Sequence, residues 1–204
     1  MNAATMTDNS AKIDTREALL DAGISIMLEK GYTNAGIAEI LQAVGVPKGS
    51  FYHYFESKED FAIAIIARTG DVYAQRMSRI FGNSSLKPID RLRKYFSEAR
   101  ADMVTKECRK GCLIGNLSQE MADQSESLRD ALRTVLQNGR IVLTACIVEA
   151  QKNGEILNDR PAADLAQFIQ SAWTGAMLLS KTQKSPESLD VFNRLIFEDV
   201  LKSK

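Results

Sequence analysis

From Lys48 to Tyr54 the chain sets out, within seven residues, a lysine, a serine hydroxyl, two phenols and its single histidine. Those groups form no nucleophile–base pair and no set of metal ligands. They are donors of the kind that meet phosphate oxygens, and the phenols and ammonium stand out on so short a segment. Phe51 and Phe55, four apart, are placed to pack inward, leaving Lys48, Ser50, Tyr52, His53 and Tyr54 to face outward or to graze the rim. Gly49 is a poor helix former, but its missing side chain lets another surface approach the backbone closely. Just beyond, Ser57 reads as an N-cap with Asp60 three residues on and Lys58 in the first turn, so backbone amides there could also hold a phosphate.

A second place where chemistry is conceivable is Cys112. Lys106, Arg109 and Lys110 precede it, Gly111 interrupts the chain, and a helix is expected to begin at Leu113. Cations and a helix N-terminus both favour a thiolate, which could react with oxidants or electrophiles. The plainer reading is a small apolar residue lining a binding pocket. With Cys108 and Cys146 the cysteines number three, which argues against a disulfide framework, and Cys108-x-x-x-Cys112 has no histidine nearby to make a zinc site. Other pocket candidates are Phe96, Met103, Asn116, Met121, Phe168, Trp173 and Met177, with Lys181 able to reach Cys112 late in its helix. In a helical body such residues also serve as plain core.

The elements that must carry these groups are legible from punctuation. Ile37, Ile40, Leu41 and Val44 fall at i, i+3, i+4 and i+7, the stripe of an amphipathic helix. Gly45 ends it, and Pro47 suits the first turn of a second helix from about Pro47 to Phe55. Two helices across a tight glycine turn are a helix-turn-helix, whose second helix enters the DNA major groove. Beyond it, a helix runs from Ser57 to about Phe81, another from Pro88 to about Thr105, and a short one from after Gly111 to about Ala122. Longer ones follow from Ser125 to about Asn153 and from Pro161 to about Lys184, and the last starts at Pro186. No strand alternation or hairpin dipeptide competes, so the fold class is all-α with about nine helices.

Thr15 to Phe61 resembles the DNA-binding domain of the tetracycline-repressor family of bacterial transcription regulators. Leu19, Ala22, Ile26 and Met27 match its first helix, Lys30-Gly31-Tyr32-Thr33 the link to the second, and Val46 to Phe55 the recognition segment. The resemblance implies DNA contacts at Thr33, Lys48, Ser50, Tyr52, His53 and Lys58, with Gly49 permitting close approach. It further implies three head helices, one shared, and five for an effector-binding and dimerising body, the last two forming a four-helix interface between copies. Gly111-Cys112-Leu113 is similar to members that repress electrophile-detoxifying reductase genes and sense through cysteine.

The division expected is residues 1–12 as a disordered leader, 13–60 as the DNA-binding domain, with an N-cap at Asp14 or Thr15, and 61–204 as the body. Formal net charge is zero, and residues 1–60 hold only Lys12, Arg16, Lys30, Lys48 and Lys58 as cations. That excludes a generic basic DNA coat but not a dimer reading paired half-sites through local contacts. The absence of a long apolar run or signal core points to the cytoplasm and away from membranes. No cofactor or metal is expected. The expected partners are operator DNA, a second copy and a small-molecule effector, and the expected role is a repressor that the effector releases. A helical enzyme and a protein-interaction module remain the alternatives from other classes.

Overall fold

The computed structural model describes residues 3–157 and 159–202, with side chains from residue 15 onward. Nine α-helices make up the described chain: α1 (Ala3–Asn34), α2 (Ile37–Val44), α3 (Lys48–Tyr54), α4 (Lys58–Phe81), α5 (Pro88–Thr105), α6 (Leu113–Met121), α7 (Glu126–Lys152), α8 (Ala162–Gln183) and α9 (Glu187–Leu195). A π-helical turn, Ile196–Val200, follows α9, and the described residues contain no strand. None of these helices is long and apolar enough to cross a membrane.

Local sequence accounts for most boundaries. Gly45 takes φ 74°, ψ 30°, its N–H donates to Leu41 O at 2.9 Å, and the Val46 N–H donates to the same carbonyl at 3.1 Å. This left-handed cap turns the chain within two residues, and nothing within 4 Å crowds a Cβ there, so the demand for glycine is purely conformational. At α4 the Ser57 Oγ accepts the Asp60 N–H at 3.0 Å, while the Asp60 carboxylate accepts the Glu56 N–H, also at 3.0 Å. Aspartate thus stands where a capping box has Glu or Gln, but reaches one residue further back, to the amide before the cap. Ser125 caps α7 by accepting the Leu128 N–H and donates its own hydroxyl proton to Glu59, tying the starts of α7 and α4.

Three boundaries differ from expectation. Helix α1 begins at Ala3 rather than at a cap on Asp14 or Thr15, so no break separates a leader at residue 12; residues 3–22 contain no glycine or proline to stop it. Pro47 is the N-cap of α3 and not its first residue, with extended ψ 155° and its carbonyl accepting the Ser50 N–H. The final helix loosens into the π-turn at Ile196.

Two buried clusters organise the packing. The first joins Leu19, Met27, Ile40, Phe51, Phe55, Phe61 and Ile65 to Leu113, Leu117, Leu128 and Leu132, so the head shares its core with α6 and the first half of α7. The second gathers Leu92, Phe96, Ile147, Leu165, Ile169, Trp173, Leu189 and Phe192. Helix α4 feeds both, with Phe61 to Ile66 in the first and Met77 in the second. Helices as short as α2 and α3 are unstable alone, and burial of Phe51 and Phe55 at about 1.5–3 kcal/mol each is what holds α3 to the head.

Candidate nucleic-acid interface and sensor site

The floor of α3 is aromatic. Phe51, fully buried, meets Phe55 and Phe61 at ring-centroid distances of 5.4 and 5.2 Å. Above that floor the helix presents Lys48, Gly49, Tyr52 and His53 to solvent, with Ser50 half-buried at the edge and Tyr52 55% exposed. Tyr54 does not join this row: half-buried, it packs against the head core, and His53 meets its ring edge-on at 5.0 Å. Three residues after the buried Phe51, it lies on the same side of the helix.

Pairing decides which cations of the head remain available. Arg16 is bound to Glu17 at 3.1 Å and lies over the Phe55 ring, and Lys30 is bound to Glu39 at 2.5 Å. Lys48 is exposed and has no ion-pair partner among the described residues. The Lys58 Nζ donates to Thr33 O at 3.2 Å and stands 4.6 Å from the centre of the Tyr32 ring. Burial lowers the Lys58 pKa, against an opposing pull from Glu120. Thr33 and Lys58, distant in sequence, therefore share one edge of the head.

Glu120, which sequence reasoning missed, reaches that edge from α6. Its carboxylate accepts the Tyr32 N–H at 2.8 Å and the Thr33 N–H at 2.7 Å. Gly31, at φ 79°, leaves the space for it: a Cβ there would lie 2.6 Å from Glu120 Oε2. Only docking of α6 brings these groups together, so no local signal could have found them.

At the other end of α6, Cys112 is the N-cap and is half-buried. The group against its sulfur is the Tyr73 hydroxyl, at 3.5 Å. Burial, reinforced by Cys112, pushes the Tyr73 phenol well up, and burial pushes up Tyr95 nearby. Arg76 stands 5.7 Å from the Tyr95 ring and pairs with Asp102 at 2.5 Å. Of the expected cations, Lys106 is exposed and Arg109 is exposed and bound to Glu107 at 2.8 Å. Tyrosines were not foreseen here because they come from α4 and α5.

The candidate effector residues do not form one site. Asn116 donates from Nδ2 to Lys110 O at 3.3 Å, and Asn116 and Lys181 both lie within 4 Å of a Cβ built on Gly111, beside Cys112. Asn116 and Lys181 also line a groove of about 600 Å³ that runs to Gly31 and Glu120. Phe96 and Trp173 lie elsewhere, 5.2 Å apart in a buried aromatic cluster with Phe192, against which Met177 packs; Met103 joins the same core. Met121 belongs to the head cluster, and Phe168 is 53% exposed on α8. Among the described residues no three histidine, cysteine or carboxylate side chains gather as metal ligands.

Comparison with known proteins matches both halves of this arrangement. Residues 19–65 match the family described as "Bacterial regulatory proteins, tetR family", and residues 88–196 match "Tetracyclin repressor-like, C-terminal domain". The transcriptional regulator AcuR of Cereibacter sphaeroides is 39% identical over 87% of this chain and 81% of its own. The HTH-type transcriptional repressor DhaR of a Mycobacterium species is 34% identical over 95% of this chain and 96% of its own. The crystal structure of Escherichia coli NemR in its reduced form superposes with a TM-score of 0.83 at 31% identity, covering 91% of this chain and 96% of that one.

Proposed function

The chain belongs to the tetracycline-repressor family of DNA-binding transcriptional regulators, and on that premise we propose a dimeric repressor that a small molecule, acting beside Cys112, releases from its operator. The observation that carries the reading is α3 itself. It offers Lys48, Tyr52 and His53 outward from a rigid aromatic floor, with Thr33, Ser50 and Lys58 at its margins and Gly49 open to close approach. Lys48 and Lys58 act at phosphates, and the phenol and imidazole act at phosphate or base edges. The head is residues 13–60, the body 61–204, and the site of action the bacterial cytoplasm.

The dimer reading is supported by the outer face of α8 and α9, where Phe168, Leu179, Val191 and Leu195 are exposed together. Apolar surface of that extent calls for a partner, and two such helix pairs related by a two-fold axis make a four-helix interface. The sensor reading is supported by Cys112, which is half-buried where Cys108 and Cys146 are buried, with a phenol on its sulfur and Lys181 across Gly111. Reaction there would act on α4, through Tyr73, and on α6, which Cys112 caps. By linkage, an effector that weakens DNA binding about a hundredfold binds the DNA complex about 2.7 kcal/mol more weakly than the free protein.

The test is binding of purified protein to DNA flanking its own gene, at two salt concentrations, with and without iodoacetamide, in wild type and Cys112→Ser. Selective, salt-sensitive binding that iodoacetamide abolishes only in wild type is the expected result. Binding that alkylation leaves intact removes the thiol from the mechanism, and absence of selective binding removes the operator reading.

A further inference from the structure

The end of α1, just past its non-helical Gly31, is gripped from two sides. From α6, the Glu120 carboxylate gives one oxygen to each of the Tyr32 and Thr33 amides, at 2.8 and 2.7 Å. From α4, the Lys58 ammonium holds the Thr33 carbonyl at 3.2 Å and lies over the Tyr32 ring. Gly31 makes the fit possible, since any side chain there would collide with Glu120 and strain a φ of 79°. Burial works to raise the Glu120 pKa, but the Thr33 and Tyr32 hydrogen bonds and Lys58 outweigh it and hold the value low, so the clamp carries a charge. Charge-assisted bonds of this kind are stronger and more directional than neutral ones.

Helix α6 is nine residues long, a rod of about 13 Å, with Cys112 capping one end and Glu120 in the last turn of the other. Asn116, one turn before Glu120, lies beside Gly111 and Lys181. Helix α6 thus connects Cys112 to the Tyr32 and Thr33 amides directly, without α4 between them.

We propose that Glu120 is a positioning residue for DNA reading: its carboxylate fixes Tyr32 and Thr33, and with them Lys58, beside α3, and a shift of α6 from its Cys112 end opens the clamp and frees the head. The proposal rests on the repressor reading above and adds the route by which the body reaches the head. Glu120→Gln keeps one acceptor and loses the charge, whereas Glu120→Ala loses both bonds.

The experiment compares wild type, Glu120→Gln and Glu120→Ala in operator affinity before and after iodoacetamide, in amide exchange at Tyr32 and Thr33, and in thermal unfolding. Untreated operator affinity is expected to fall about tenfold in Glu120→Gln and further in Glu120→Ala. The Tyr32 and Thr33 amides exchange faster in both, amides of α8 do not, and the ratio of treated to untreated affinity approaches one. Affinity lost with that ratio preserved reduces Glu120 to a structural prop and overturns the coupling, as does a wild type that binds DNA and is not released by alkylation. Affinity and response retained within about twofold overturn the positioning role. Should wild type not bind DNA selectively, the repressor reading fails separately, and unchanged Tyr32 and Thr33 exchange in Glu120→Ala overturns the clamp by itself.

Discussion

Replacing Lys48 by alanine tests how this nearly neutral chain binds a polyanion. Of the head cations whose side chains are described, Arg16 and Lys30 are paired with Glu17 and Glu39, and the proposed DNA complex assigns phosphates to the other two, Lys48 and Lys58. A dimer therefore brings about four lysines to the backbone, and with a slope of about 0.9 per contact, log affinity should fall against log salt with a slope of about −3.6. Raising salt from about 50 to about 200 mM then weakens wild type about 150-fold. Lys48→Ala removes one contact from each protomer, so the slope drops to about −1.8 and the same change in salt costs only about twelvefold. Lys48 is exposed and packs against nothing in either core, so the substitution leaves folding intact. Fluorescence anisotropy with a labelled operator across several salt concentrations reads both slopes. A Lys48→Ala slope equal to that of wild type would refute the assignment of Lys48 to phosphate, whatever happens to affinity at a single salt.

Four further outcomes follow from burial and exposure. Phe51→Ala, at a fully buried ring between Phe55 and Phe61, should cost about 3–5 kcal/mol and abolish operator binding while leaving the α8–α9 association intact; a denaturant midpoint within error of wild type contradicts the aromatic floor. Leu179→Glu, on the exposed apolar face of α8, should yield a monomer by light scattering and with it loss of operator affinity, and a persistent dimer would move the interface elsewhere. Cys146, whose thiol donates to the Pro88 carbonyl and is pushed by burial from 9.0 up to about 12, should resist iodoacetamide at pH 9 while Cys112 reacts, as mass spectrometry would read. The fold holds its neutral form, so its contribution to stability is complete below about pH 9 and is lost as pH climbs toward 12; a Cys146→Ala variant with the same alkaline loss of stability would contradict this.

Much of the reading head was legible because its determinants are local. The Ile37–Val44 stripe, Gly45 as a left-handed cap and Ser57 with Asp60 at the start of α4 each depend on residues within one or two helical turns. The rest of the helix order was equally open to inspection, since glycine and proline punctuate a 3.6-residue period at nearly every boundary. Where that reasoning slipped at α3, it did so by a small displacement, Pro47 moving to the cap, while Tyr54 grazes the rim of the core as expected. The start of α1 was a larger miss, because a polar composition that reads as a loose leader contains nothing that stops a helix.

Chain order and periodicity by themselves determined an all-helical protein with a helix-turn-helix near its start, and chemical type and spacing singled out Lys48, Tyr52 and Cys112. Only the tertiary structure decided what those groups meet. It placed the Tyr73 hydroxyl on the Cys112 sulfur, where the sequence suggested neighbouring lysines and arginine, and it separated Phe96 and Trp173 from the Cys112, Asn116 and Lys181 group. It also carried Glu120 across 87 residues to the Thr33 amide. The reason is that a helix's existence is written in interactions one turn long, whereas its partners depend on how amphipathic faces dock, and docking joins residues whose separation along the chain leaves no periodic trace.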